Sequence, residues 1–446
     1  MSDQSGAGRS GGSGTKVSRR QFLRGATAAG VGGLVVGGAG GYLVGNSGSG
    51  GQTTSAGGSK EPILIGSASP VTGPFAGDGQ QMVRGQQLAI AEINAAGGLL
   101  GRELKLQVLD SKAQEPDVMK NVLQKLVSQN VAAIFSGFTT YTSVEYPIVA
   151  EAGMPMFHVN TWHGNIDYVK AKGITNIFQG DPTEEWYGPG FIVLVNDLID
   201  SGVWQPSAKT TFIVTSNDPY SLNISKNFRD GMEKQGWKTE GFEQFTVPQA
   251  DWTGVLVKIR AANPGIVFFS DYAPGDEASF MKQFAQSPTQ SLVYEQYAPS
   301  IPEYLDLAGD AANGVLWSTV VGVLAGDERA KAFESAFEAK FGRPAGFSNA
   351  GDQYDLVQLW AEAAGMAGDP YDFARINKTI AGGVYRGVCG AYNFLPETLT
   401  CYPYPDATPD PSLGMAHLTF QIQNGQQVLI SPDPYTTGKF QLPSWL

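Results

Sequence analysis

The chain has 446 residues, of which 42% are hydrophobic, 16% charged and 11% aromatic, enough to bury more than one core. Its formal charge is −12, and because Arg9, Lys16, Arg19, Arg20 and Arg24 crowd the first 45 residues, the remainder is more acidic still. That balance argues against a binder of phosphate backbones or anionic lipid. His158, His163 and His417, with Cys389 and Cys401, offer no zinc-like spacing and no CxxC redox pair, and no cofactor is expected.

In chain order, residues 1–17 are rich in Gly and Ser, and Ser18-Arg19-Arg20-Gln21-Phe22-Leu23-Arg24 precedes a glycine-diluted apolar run from Ala26 to Gly45. Residues 1–45 therefore resemble a twin-arginine export signal. Thr54-Ser55-Ala56 reads as a small-residue cleavage site within a flexible linker, residues 46–60; an anchor that stays uncleaved is the alternative. No cysteine follows the apolar run to accept lipid.

From Pro62 the pattern alternates short apolar strands with amphipathic helices. Ile63–Ile65 reads as a buried strand ending at Gly66, residues 80–96 as a helix stopped by Gly97-Gly98, and Leu104, Leu106 and Val108 as a strand that delivers Asp110 to its end. Pro116 opens a helix, and Ala132–Phe135 is a strand. A second series has helical residues near 188–200, strand Thr211–Thr215, helix Ser221–Gln235, strand Phe242–Val247 and helix Trp252–Ala261. Strand Ile266–Ser270, helix Glu277–Gln286 and a strand near 291–294 complete it. Helices Glu328–Phe341 and Tyr354–Ala367 follow, then a tail with a strand at 417–423. Repeated βα units predict an α/β fold of two doubly wound parallel-sheet lobes. In the tail, the turn-like run between Cys389 and Cys401 predicts a disulfide once the chain is exported; two separate buried thiols is the alternative.

Ligand sites in such sheets lie at the carboxyl ends of the strands. The loops there, 67–79, 137–143, 159–165, 216–221, 271–276 and 294–300, are full of Thr, Ser, Asn and Tyr and would converge on one cleft.

The run Ile65-Gly66, Val71-Thr72-Gly73-Pro74, Gly79, Gly85, then Ala89-Ile90-Ala91-Glu92-Ile93-Asn94-Ala95-Ala96-Gly97-Gly98-Leu99-Leu100-Gly101-Arg102 and Asp110, resembles the leucine/isoleucine/valine-binding protein family. These are periplasmic receptors of ABC transporters with the type I binding-protein fold. The resemblance implies an N-terminal lobe of 61–181 plus 319–417 and a C-terminal lobe of 182–318 plus 418–446, joined by a three-segment hinge. It also implies an extracytoplasmic receptor that hands an amino acid, amide, urea-like compound or aromatic acid to permease and ATPase subunits. By position, Thr139 would hold a solute carboxylate, with Thr140 and Tyr141 adjacent. Asn160, Thr161 and Trp162 fall on a second binding loop, Tyr220 and Tyr272 on aromatic positions of the second lobe, and Glu295, or Tyr297 at equally fitting spacing, on the partner of a solute ammonium.

Two departures stand out: Asp78 occupies a place where an aromatic is common, and Trp162 a place where threonine is expected. With Phe138, Trp186, Tyr187 and Tyr294, the loops carry more aromatic weight than a plain aliphatic amino acid needs, and a small cation would also suit them. His163 beside Asp167 reads as a lone surface histidine, and no Gly-x-Ser-x-Gly elbow or phosphate-cradling glycine loop marks the mature region, so catalysis is not expected. A ligand-sensing regulatory or chemosensory module of the same fold is the alternative function; a periplasmic hydrolase ranks below it.

Overall fold

A computed structural model of the chain describes residues 61–446. The export signal, its cleavage site and the linker lie outside the described residues. Among the described residues no helix is long and apolar enough to cross a membrane.

The first sheet begins with β1 (Ile63–Ser69), whose side chains are almost all buried, as expected of a central strand covered on both faces. It runs past Gly66 because Leu126 packs directly over that glycine, where a Cβ would lie 2.8 Å from a Leu126 methyl. Helix α1 (Ala76–Ala95), β2 (Leu104–Asp110), α2 (Pro116–Ser128), β3 (Ile134–Ser136), α3 (Tyr146–Ala152), β4 (Met156–His158), α4 (His163–Lys172) and β5 (Ile177–Gln179) follow. The strands pair in parallel in the order β2-β1-β3-β4-β5. Pro116 opens α2 without loss, since the first N–H of a helix has no partner in any case.

The second sheet is built after α5 (Tyr187–Asp200). Strand β6 (Thr210–Ser216), α6 (Pro219–Lys234), β7 (Lys238–Phe245), α7 (Thr253–Ala262), β8 (Ile266–Asp271), α8 (Pro274–Phe284), β9 (Leu292–Tyr297), α9 (Glu303–Ala308) and β10 (Leu316–Thr319) alternate along the chain. Strand β7 begins four residues before its expected start, because it is a part-exposed edge strand whose alternation is too polar to mark its beginning.

The chain then returns to the first sheet with α10 (Glu328–Phe341), α11 (Asn349–Ala367) and α12 (Phe373–Gly382). Helix α11 lies along α1, where Tyr354 donates to Glu92 at 2.5 Å and Gln86 to Gln353 at 2.7 Å. Gly85 permits that approach: a Cβ there would sit 2.0 Å from the Ala350 carbonyl oxygen. The tail forms two small pairs, β11 (Tyr385–Arg386) with β12 (Ala391–Tyr392) and β13 (Pro403–Tyr404) with β14 (Met415–Ala416). It ends in β15 (Leu418–Gln423) and β16 (Gln426–Ser431), which join the second sheet antiparallel and give the order β16-β15-β10-β9-β8-β6-β7.

Strand periodicity divides the second sheet's core. Phe212, Val214, Val267 and Phe269 face one layer with Trp252 and Trp317, whereas Ile213 and Phe268 face the other with Phe191, Phe228 and Tyr294. The Phe228 and Phe268 rings stack at 4.0 Å. Each such ring contributes about 1.5–3 kcal/mol by leaving water.

The expected disulfide is not formed: Cys389 and Cys401 are separate buried thiols. Cys389 follows the β11 turn and its sulfur lies over Gly351 of α11, while Cys401 bridges back to Phe394. The turn between them is closed by main-chain pairing instead, Leu395 N–H to the Thr400 carbonyl at 2.8 Å and Tyr402 N–H to that of Asn393 at 3.1 Å.

The chain passes between the sheets three times, at residues 180–186 after β5, at 320–327 after β10 and at His417 before β15.

Candidate functional site

A cavity opens where the strands end. Its lining follows the carboxyl end of one strand after another. Phe75 and Asp78 come after β1, Gln114 after β2, Phe138 and Tyr141 after β3, Val159, Asn160 and Thr161 after β4, and Asp181 and Tyr187 after β5. Tyr220 comes after β6, Tyr272 after β8, Tyr297 at the end of β9, and Val321 and Asn349 after β10. Both sheets thus contribute, and their loops touch: the rings of Phe75 and Tyr272 lie 5.3 Å apart, with Phe138 of the first sheet 5.4 Å from Phe75.

Asp78 and Asp181 are the acids of the lining, and no Lys, Arg or His is among the lining residues. Asp78 is 6% exposed, and its Oδ1 accepts from the Tyr297 hydroxyl at 2.8 Å and from the Asn349 amide at 2.6 Å. Burial pushes its carboxyl up to about 7, against the pull of the Tyr297 and Asn349 hydrogen bonds. Tyr297 reaches it from an uncommon backbone conformation, φ 69°, ψ −51°, a strained turn of the kind found at ligand sites.

Asp181 is fully buried just past β5, and neither of its carboxylate oxygens accepts a well-formed hydrogen bond among the described residues, the Gln179 side chain and its own N–H lying close enough only to favour the ionised form weakly. The Gln179 amide beside it donates instead to the Asp181 main-chain carbonyl at 3.2 Å, as does the Thr400 hydroxyl at 2.7 Å. Burial, and then the nearby Asp352 carboxyl, hold Asp181 well above the usual carboxylate range.

Of the residues singled out in the sequence, Tyr141, Asn160, Thr161, Tyr220 and Tyr272 line the cavity. Thr139, Thr140, Trp162 and Glu295 lie behind the wall. The Thr139 hydroxyl is turned to Asn165 Oδ1 and the Tyr146 hydroxyl, each at 3.1 Å. Thr140 gives its N–H and hydroxyl to Glu145, at 2.8 and 2.6 Å. Trp162 donates to the Tyr141 carbonyl at 3.2 Å and packs edge-on against the Tyr141 ring, bracing it from outside. Glu295, fully buried, accepts from the Tyr304 hydroxyl at 2.5 Å. Tyr297, the rival candidate to Glu295, does line the cavity. His163 is not a lone surface residue: its Nδ1 meets Glu184 Oε1, which also accepts from the Asn223 amide of α6 at 2.7 Å.

A family model described as periplasmic binding protein matches residues 62–400. The chain belongs to that family. It is 34% identical to a solved putative branched-chain amino acid ABC transporter protein of Silicibacter pomeroyi, with a TM-score of 0.80 over 86% of this chain and 100% of that one. The Leu/Ile/Val-binding protein homolog 1 of Brucella abortus (strain 2308) is 24% identical over 320 residues, 71% of this chain and 82% of the relative. A branched-chain amino acid transporter substrate-binding protein of Streptococcus pneumoniae, solved with isoleucine, shares the fold at a TM-score of 0.67 and 22% identity, over 83% of this chain and 100% of that one. The fold is the type I binding-protein architecture that the sequence predicts.

Within this family member, sequence reading misses Gln114, Asp181, Val321 and Asn349. Asn349 meets Asp78 from 271 residues away, a pairing with no local signal. Asp181 carried one usable sign, an acid directly after the short strand Ile177–Gln179 and a glycine, but so short a strand is hard to see.

Proposed function

We propose that the chain is the extracytoplasmic receptor of an ABC importer, capturing a small polar molecule in this cavity and presenting it to permease and ATPase subunits. The observation that carries the reading is the cavity itself, lined at strand ends by loops of both sheets. Residues 61–181 with 319–417 form one lobe and 182–318 with 418–446 the other, and they close over the solute about the three connecting segments. Tyr141, Asn160, Thr161, Tyr220 and Tyr272, with Asp78, Asp181 and Tyr297, make the contacts. The protein acts by capture and release, without turnover. It leaves the cytoplasm by the twin-arginine route.

A solute that binds only the folded protein raises its melting temperature by linkage. A screen of amines, amino acids, amides and aromatic acids should give at least one reproducible rise, and no rise from any class would sink the reading. Replacing Arg19 and Arg20 with Lys should hold the protein in the cytoplasmic fraction; unchanged export would remove the twin-arginine assignment.

A further inference from the structure

We propose that the solute is a small organic cation, an amine or quaternary ammonium without a carboxylate, held by Asp181 within a box of aromatic rings. The inference rests on the receptor reading and names its substrate class.

Three independent observations support it. The first is the lining: seven of its fifteen residues are aromatic, Asp78 and Asp181 are its carboxyl groups, and no basic side chain is among them. Ring faces attract cations, most strongly where water is excluded. A carboxylate entering the same space would lose its water without any basic side chain to pair with, at a steep desolvation cost.

The second is Asp181. A fully buried carboxyl group beside a cavity, with no well-formed hydrogen bond to either oxygen and only weak help from the Gln179 amide and its own N–H, is a costly arrangement unless something arrives to pair with it. The ionisable groups near enough to act on it are Asp352 from α11, Glu184 from the segment after β5, Tyr146 from α3, Tyr187 from α5 and Cys401 from the tail. All are acidic or neutral, so the protein supplies Asp181 with no cation of its own.

The third is the place where the family resemblance puts a solute carboxylate. Its donors are already spent, the Thr139 hydroxyl on Asn165 and the Thr140 N–H and hydroxyl on Glu145. An α-carboxylate would have to displace these internal acceptors to be held by either threonine, whereas an ammonium needs neither donor.

Pairing with a cation favours the ionised form of Asp181, so binding releases a proton to the buffer and tightens as pH rises.

The test is isothermal titration of the purified protein with matched probes. Benzylamine, phenethylamine and tetramethylammonium form one arm, benzoate, phenylalanine and isoleucine the second, and benzyl alcohol the neutral control. The expected result is that at least one amine or ammonium binds about 100-fold more tightly than its carboxylate counterpart, with proton release seen across buffers of different ionisation enthalpy. Asp181→Asn should weaken it about 100-fold, the loss typical of removing one partner of a buried charge pair. Tyr272→Leu should weaken it about tenfold through the lost ring face, and it keeps the test open if the Asp181 variant does not fold. Carboxylates or amino acids binding more tightly than the amines, or amine affinity within twofold in the variant that folds, would overturn the cation assignment and leave the receptor standing. Silence from every probe would remove both.

Discussion

Two sets of buried carboxyl groups invite comparison. Asp181 lies beside the cavity at the end of the first sheet, while Glu277 of α8 and Glu295 of β9 lie in the layers of the second sheet. All three are fully buried, and burial is the main force raising each well above the usual carboxylate range. Glu277 is as bare of partners as Asp181, with neither oxygen hydrogen-bonded among the described residues. Glu295 has the Tyr304 hydroxyl. What differs is position. Asp181 is among the residues that line the cavity, whereas Glu277 is not, and repulsion from Glu295 and Asp271 adds to the effect of its burial. A perturbed carboxyl therefore marks a binding site only where a guest can reach it.

The sharpest break between the two sets is in binding. Against any solute for which Asp181→Asn costs about 100-fold, Glu277→Gln should change the dissociation constant less than about twofold by titration calorimetry. A tenfold loss in the Glu277 variant would erase the distinction.

Stability should show the opposite pattern. A carboxyl whose folded pKa lies above its unfolded value near 4.3 is neutral in the folded protein after the unfolded chain has ionised, so stability falls as pH rises. Glu277→Gln cannot ionise. It should gain about 1–3 kcal/mol over the parent at pH 8 in urea unfolding, shrinking towards zero at pH 4. Equal gains at both pH values would mean that charge is not the cause.

Asp78 is intermediate, lining the cavity yet hydrogen-bonded. Its carboxyl should titrate near 7 by NMR of the labelled side chain. Tyr297→Phe removes a donor that favours the ionised form, so the midpoint should move up and stability should drop by about 1 kcal/mol. A midpoint that stays put would detach Tyr297 from Asp78. The smallest effect belongs to a surface pair: Lys258→Ala, which breaks the 2.7 Å contact of this exposed lysine with Glu243, should change unfolding by less than about 0.5 kcal/mol.

Much of the fold is legible in the residues because periodicity is a local signal. Pro116, the alternation of Leu104, Leu106 and Val108, and the helix Glu328–Phe341 stand where their patterns put them. Strands β4 and β5, three residues each, are too short to show a period, and α4 starts without a side-chain cap. Helix α11 begins five residues before its expected start because Asn349, Asp352 and Gln353 are buried polar groups, which hydropathy reads as surface. The site was half visible for a related reason. Tyr141, Asn160, Thr161, Tyr220 and Tyr272 follow strands directly, and position alone places them. Whether a threonine hydroxyl points into the cavity depends on distant partners, and Thr139 turns to Asn165 and Tyr146 instead. Glu295 was read as a loop acid, but it sits within β9 with its side chain directed into the wall.

Asp181 stands on the first of the three stretches of chain that run from one sheet to the other. In the receptor proposed above, the acid that meets the guest would therefore sit on one of the very connections about which the two sheets close, and the lever arm from guest to jaw would be a few bonds long.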